Sequence, residues 1–109
     1  MPIMAIYRRN DVSAELYNRF RAAAPIDTVP RGALVHAYAR TGDTSFVTID
    51  IWEDEREMDA YFRDVLAPAA RGLGVEVERP EVIPIETFVT TPGTQAYAVP
   101  FADAVREPA

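Results

Sequence analysis

The element order that the sequence predicts, β-α-β-β-α-β, places this chain in the α+β class. The arrangement is a ferredoxin-like split βαβ sheet: four antiparallel strands with two helices on one face. Four short apolar runs have strand character, and two longer runs repeat their apolar residues at helical spacing. Turn-forming residues separate these runs. With 109 residues, there is room for one domain and a modest core. That domain is expected over residues 1–91, with residues 92–109 as a C-terminal tail.

The first strand is expected over residues 3–8, a short apolar run broken by Asn10 and Asp11. Ser13 is placed to cap the first helix, with Val12 stapled against Tyr17. Leu16, Phe20, Ala23 and Ala24 then recur at helical spacing, and Pro25 ends that helix before a loop through residues 26–32. Residues 32–40 read as the second strand. Thr41, Gly42 and Asp43 supply the hairpin turn into a third strand that ends at Trp52. Glu53, Asp54, Glu55, Glu57 and Asp59 form the acidic start of the second helix, where the macrodipole favours negative charge. Its apolar stripe is Met58, Tyr61, Phe62, Val65, Leu66 and Ala69, with Pro68 kinking or ending the regular part. Residues 81–90 are expected as a fourth strand, held to a sheet edge because Pro84 has no N–H for a second neighbour. The resulting spatial order is 4-1-3-2. Tyr97, Val99, Phe101 and Val105 make the tail too apolar for a simple disordered end, and it is expected to pack on a dimer partner.

Composition narrows the function. A net charge of −6 argues against nucleic acid, which needs a basic face. There is no cysteine, so no disulfide framework, thiol nucleophile or thiolate metal site exists, as suits a reducing cytoplasm. All 11 basic residues are arginine, which removes Schiff-base and lysine-base chemistry. The opening MPIMAIYRRN lacks the pattern of a signal peptide, and no stretch is long and apolar enough to span a membrane. His36 is the only histidine, and no carboxylate cluster has ligand spacing, so no metal site is expected. No GxGxxG follows a strand, so nucleotide cofactor fingerprints are absent.

The third strand has two unlike faces. Val47, Ile49 and Ile51 are purely aliphatic and are expected to pack beneath the helices. Phe46, Thr48, Asp50 and Trp52 mix aromatics with a hydroxyl and a carboxylate, as a lined cavity would. Because two helices cover only one sheet face, the other needs a partner. A two-fold homodimer is expected, with Phe46 and Trp52 on the partnered face.

Over residues 2–90 the chain resembles the dimeric α+β barrel proteins, in particular the antibiotic-biosynthesis-monooxygenase-like group. The resemblance rests on the element order, the histidine in GALVHAY, a third strand ending in DIWED and the helix AYFRDVLAPAA. It implies a homodimer and a small hydrophobic or aromatic ligand. The implied activity is cofactor-independent oxygenation of an aromatic or polyketide-like substrate. The same fold hosts polyketide cyclases and haem-degrading enzymes. The haem-degrading members ligate iron through a histidine on the second helix. Residues 55–74 contain none, so no haem is expected.

The candidate catalytic pair is His36 and Asp50. An odd hairpin loop puts them side by side on neighbouring strands, about 4.5–5.5 Å apart at Cβ, and a one-residue slip would put them on opposite faces. In that pairing His36 is a general base held in one tautomer by Asp50. The plainer alternative is a histidine satisfied by its neighbour without chemistry. Asp50 could equally pair with an arginine. Trp52 and Phe46 could stack an aromatic ligand or fill a dimer core. Thr48 belongs to the same face. Tyr38 could donate to a ligand oxyanion. Tyr7 and Arg8 lie on opposite faces of the first strand; whichever faces the cavity could recognise a carboxylate or phenolate, and Arg8 could equally be a solvated strand end. Against the enzyme reading, with its oxygenase and cyclase forms, stand a non-catalytic dimer that binds a small hydrophobic molecule and a barrel filled by its own side chains.

Overall fold

The structure is a computed structural model that describes residues 1–24 and 29–99. Pro25, residues 26–28, Phe101 and Val105 lie outside the described residues. The elements are β1 (Ile3–Arg9), α1 (Ala14–Ala23), β2 (Ala33–Gly42), β3 (Ser45–Trp52), α2 (Glu55–Tyr61), a π-helical turn (Phe62–Leu66), α3 (Ala67–Gly72) and β4 (Glu81–Pro84). A 3₁₀ turn (Pro92–Ala96) follows in the tail. The sheet order is β2-β3-β1-β4 with every pairing antiparallel, the order expected from the sequence.

Local chemistry explains the element ends. The Ser13 hydroxyl accepts from the Leu16 N–H at 3.1 Å and caps α1. Val12 packs with Tyr17 as the hydrophobic staple. Asp54 caps α2 by accepting from the Glu57 N–H at 2.9 Å, so the acidic run serves as a helix start. The β2–β3 turn is tighter than expected. Gly42 pairs Ser45, and the register shifts between Arg40 and Gly42, so Thr41 is absorbed by a bulge. A Cβ on Gly42 would stand 2.6 Å from the Ser45 Oγ, so a side chain there would make that hydroxyl rotate away from Thr41.

β4 is four residues long, where ten were expected. It runs antiparallel to β1, with Glu81 opposite Ile6 and Pro84 opposite Ile3. The β1 pairing ends at Ile3, and the Ile85 N–H donates to the Pro2 carbonyl at 3.0 Å. The strand therefore ends with its partner, and Pro84 stands at a sheet edge as its missing donor requires.

The faces of the sheet are reversed from the sequence expectation. Ile3, Ala5 and Trp52 are buried together with Met58 of α2. Phe46 is buried with Val12 and with Tyr17 of α1. The mixed face of β3 thus lies under the helices, and Phe46 and Trp52 belong to the helix-side core rather than to a partnered face. Fully burying side chains such as Trp52 and Met58 stabilises by roughly 1.5–3 kcal/mol each. The aliphatic set is left open: Val35 and Ile49 are each 37% exposed, and Ile83 is 39% exposed. The physical reason is reach. A helix layer stands off the sheet, and aromatic rings bridge that gap while leaving space between them. Valine, isoleucine and alanine make a flatter face, suited to packing against a second sheet.

The second helical segment continues from α2 into α3 through a widened turn. The Ala67 N–H donates to the Phe62 carbonyl, five residues back. Pro68 is the cause: it has no N–H for the Asp64 carbonyl, and its ring would crowd that oxygen in a regular α-helix. One extra residue in the turn shifts the phase of the inward stripe. After Met58 the buried residues are Ala67 and Ala70, not Ala69 as the unbroken repeat implied.

Candidate functional site

Between the helices and the mixed sheet face lies a cavity of about 800 Å³. His36, Tyr38, Phe46, Thr48, Asp50 and Trp52 all line it, so six of the seven residues singled out in the sequence converge on one space. Arg8 does not. It sits on the open face and pairs with Glu81 at 3.2 Å. Its neighbours Tyr7 and Arg9 line the cavity instead, as strand alternation requires.

The register places His36 opposite Asp50, Tyr38 opposite Thr48 and Arg40 opposite Phe46. His36 Nδ1 lies 2.5 Å from Asp50 Oδ1. An ionised carboxylate only accepts, so Nδ1 carries the shared proton and Nε2 of the neutral ring keeps its lone pair. The His36 side chain is 41% exposed and that of Asp50 15%. The histidine thus stands at the rim, on an edge strand, with its carboxylate behind it. Arg40 braces this strand, donating through Nη2 to the Val12 carbonyl at 2.6 Å.

The two ends of the cavity differ. At one end Tyr17 stacks on Tyr38, with ring centroids 4.0 Å apart and planes within 5°. Phe46 tilts against both rings, giving an apolar wall that Leu16 joins. At the other end Trp52 and Tyr61 meet at 5.4 Å between centroids. The Trp52 Nε1 is buried there with no hydrogen-bond partner. A buried donor without an acceptor is uncommon in a folded protein and costs stability unless something fills the role. Tyr7 and Tyr61 pack against this same cluster. Burial pushes both phenols well above their ordinary range, and the nearby Asp50 charge adds to the shift. They are donors that stay protonated.

Of the two alternatives on β1, Tyr7 and not Arg8 faces the cavity, and Tyr61 of the helix stripe joins it there. The available signal for Tyr7 was its parity with Ala5 and Ile3. For Tyr61 it was Pro68, whose missing N–H widens the turn and shifts the helix phase. The tail borders the mouth of the cavity through Tyr97, Ala98 and Val99, with Tyr97 90% and Val99 65% exposed. Among the described residues no group of three His, Cys, Asp or Glu side chains is placed to hold a metal ion. Nor is any described helix long and apolar enough to cross a membrane.

No protein-family model and no curated protein sequence matches the chain. Two solved structures share its fold, both of SnoaB, a cofactor-independent oxygenase from Streptomyces nogalater. One, a single-substitution variant, is 17% identical and covers 83% of this chain and 98% of its own, with a TM-score of 0.53. The other is 20% identical and covers 84% of this chain and 97% of its own, with a TM-score of 0.51. The four-stranded antiparallel sheet, its covering helices and their connectivity are therefore a fold shared with those structures.

Proposed function

We propose that the protein is a cofactor-independent oxygenase of a small oxygenated aromatic molecule, working as a homodimer joined through the open sheet face. The observation that carries this reading is the His36–Asp50 contact on the wall of an aromatic-lined cavity. The fold shared with oxygenases of that description supports it, as does the unpaired donor on Trp52.

His36 Nε2 takes a proton from a phenol, and Asp50 stabilises the imidazolium that results. Delocalisation of the phenolate raises electron density at the para ring carbon. One electron passes from this anion to dioxygen, and the radical pair combines to form a carbon–oxygen bond. The peroxide accepts the proton from His36. Loss of the ring hydrogen as a proton, with cleavage of the O–O bond, then gives a quinone and water. One phenol and one dioxygen thus yield one quinone and one water. Trp52 Nε1–H is placed to hold the substrate oxyanion. Tyr38, Phe46 and Thr48 shape the slot for the ring. Arg8, on the other face, has no part in it.

The test is dioxygen uptake with a panel of phenolic polycyclic aromatics, followed by mass analysis under isotopically heavy dioxygen. The expected product gains one labelled oxygen and loses two hydrogens. His36→Ala should lower turnover by about 10²–10⁴-fold while leaving the fold intact. Asp50→Asn should also lower it, because an amide N–H₂ facing Nδ1 favours the tautomer that blocks Nε2. Conversion without dioxygen, with loss of water, would move the reading to a cyclase. Saturable binding of the panel with no conversion would leave a binding protein.

A further inference from the structure

The π turn between α2 and α3 does more than accommodate Pro68. In a regular α-helix two residues five apart point about 140° away from each other. The extra residue in this turn brings Tyr61 and Leu66 to the same side, and both line the cavity. Single π turns recur at functional sites because they re-aim side chains in this way. Tyr61 stands against Trp52 at the donor-rich end. Among the described residues no hydrogen bond engages its hydroxyl. The Trp52 Nε1–H beside it lacks an acceptor as well. Asp50 Oδ1 is engaged by His36. Two donors on touching rings, one of them buried without an acceptor, describe a half-site that a ligand oxygen would complete.

We propose that Tyr61 is a specificity-determining residue of this cavity: its hydroxyl, with Trp52 Nε1–H, holds the oxygen of a phenolic ligand in its ionised form. This rests on the reading of the cavity as a site for oxygenated aromatics, and it assigns the end at which that oxygen sits. The protonated state of the phenol is secured by its burial and by the Asp50 charge, so it donates throughout the neutral range. A neutral aromatic hydrocarbon of the same shape would leave both donors unpaired and be rejected. The groups that share the cavity charge are His36, Asp50, Arg9 and Arg21.

The probe is a dihydroxyanthraquinone, a flat phenol whose colour changes on ionising. Bound to the protein, its phenol should ionise at least about one pH unit lower than in free solution, the shift a single charge-assisted hydrogen bond supports. Tyr61→Phe keeps the ring against Trp52, so circular dichroism and the melting temperature should change little. In that variant the bound probe should ionise about one unit higher than in the unmodified protein. A purely structural Tyr61 would leave this ionisation where it was, and that result overturns the proposal. So does the absence of any saturable colour change with the unmodified protein. Dioxygen uptake that fails while the Tyr61-dependent shift persists removes the oxygenase reading alone. Uptake that persists without the shift removes Tyr61 alone.

Discussion

At the scale of single residues, the pairing of His36 with Asp50 was legible because strand pairing leaves only two choices of face. The loop had to have one parity or the other, and the bulge at Thr41 preserves the register that joins them. The side of the sheet on which they meet was not legible. Val47, Ile49 and Ile51 look like core residues, and hydrophobicity alone does not say whether a helix or a second sheet will cover them. Which of Tyr7 and Arg8 faces the cavity follows from the same choice. Tyr7 lies on the cavity side and gives a stability prediction of its own. Burial raises its folded pKa above the ordinary value of about 10, with Asp50 adding to the shift. Below pH 10 the phenol is protonated in folded and unfolded chains alike, and its contribution is intact. As the pH rises past about 10, the unfolded phenol ionises first, so stability falls until the folded phenol ionises too. Tyr17 and Tyr61 shift in the same direction and add to the loss. The urea midpoint should therefore drop steeply above about pH 10. Tyr7→Phe should lessen the drop, and an equal decline in variant and parent would show that the phenol is not buried.

At the scale of elements, periodicity located both helical segments and the first three strands, because each buries one face and the repeat records it. Two details depended on partners elsewhere in the chain. The fourth strand could end at Pro84 only because β1 begins at Ile3, a fact about pairing that no local pattern holds. The helix stripe changed phase at the π turn, since a missing N–H at Pro68 is answered by a wider turn rather than by a stop. That phase change ranks two substitutions. Met58 lies before the turn and is 1% exposed, so Met58→Ala should cost about 2–5 kcal/mol. Leu66, past the middle of the turn, is half-buried and borders the cavity. Part of its surface already faces open space, and Leu66→Ala should cost clearly less than Met58→Ala. Chemical denaturation of the two variants compares them directly. A Leu66→Ala loss as large as that of Met58→Ala would place Leu66 in the packed core and remove the phase change.

At the scale of the whole molecule, the unsolved element is the open sheet face. Ile49 lies on β3, a central strand, with Ile6 opposite on β1 and Ala37 opposite on β2. Val35, Ile49 and Ile83 carry exposed aliphatic surface across that face, while its charged members, Arg8 and Glu81, neutralise each other. A contiguous apolar face of this kind is seldom left wet in a monomer. A second copy fits it well. The face is flat and built of small and branched residues, and two such faces related by a two-fold axis are self-complementary. Covering it also leaves the cavity untouched, because His36 and Asp50 lie on the opposite side of the sheet. On the proposed reading dimerisation and catalysis fall on separate faces, so that one should be breakable without the other. The unmodified protein should run at twice the chain mass of 12.1 kDa at micromolar concentration. Ile49→Asp places a carboxylate at the centre of the interface, where it would be buried unpaired at a cost of several kcal/mol. That variant should run at the chain mass, keep its far-ultraviolet circular dichroism and still bind a phenolic probe. Sedimentation measures the first property and a probe titration the last. A native protein that sediments as a monomer at these concentrations would remove the homodimer. An Ile49→Asp dimer would place the interface elsewhere.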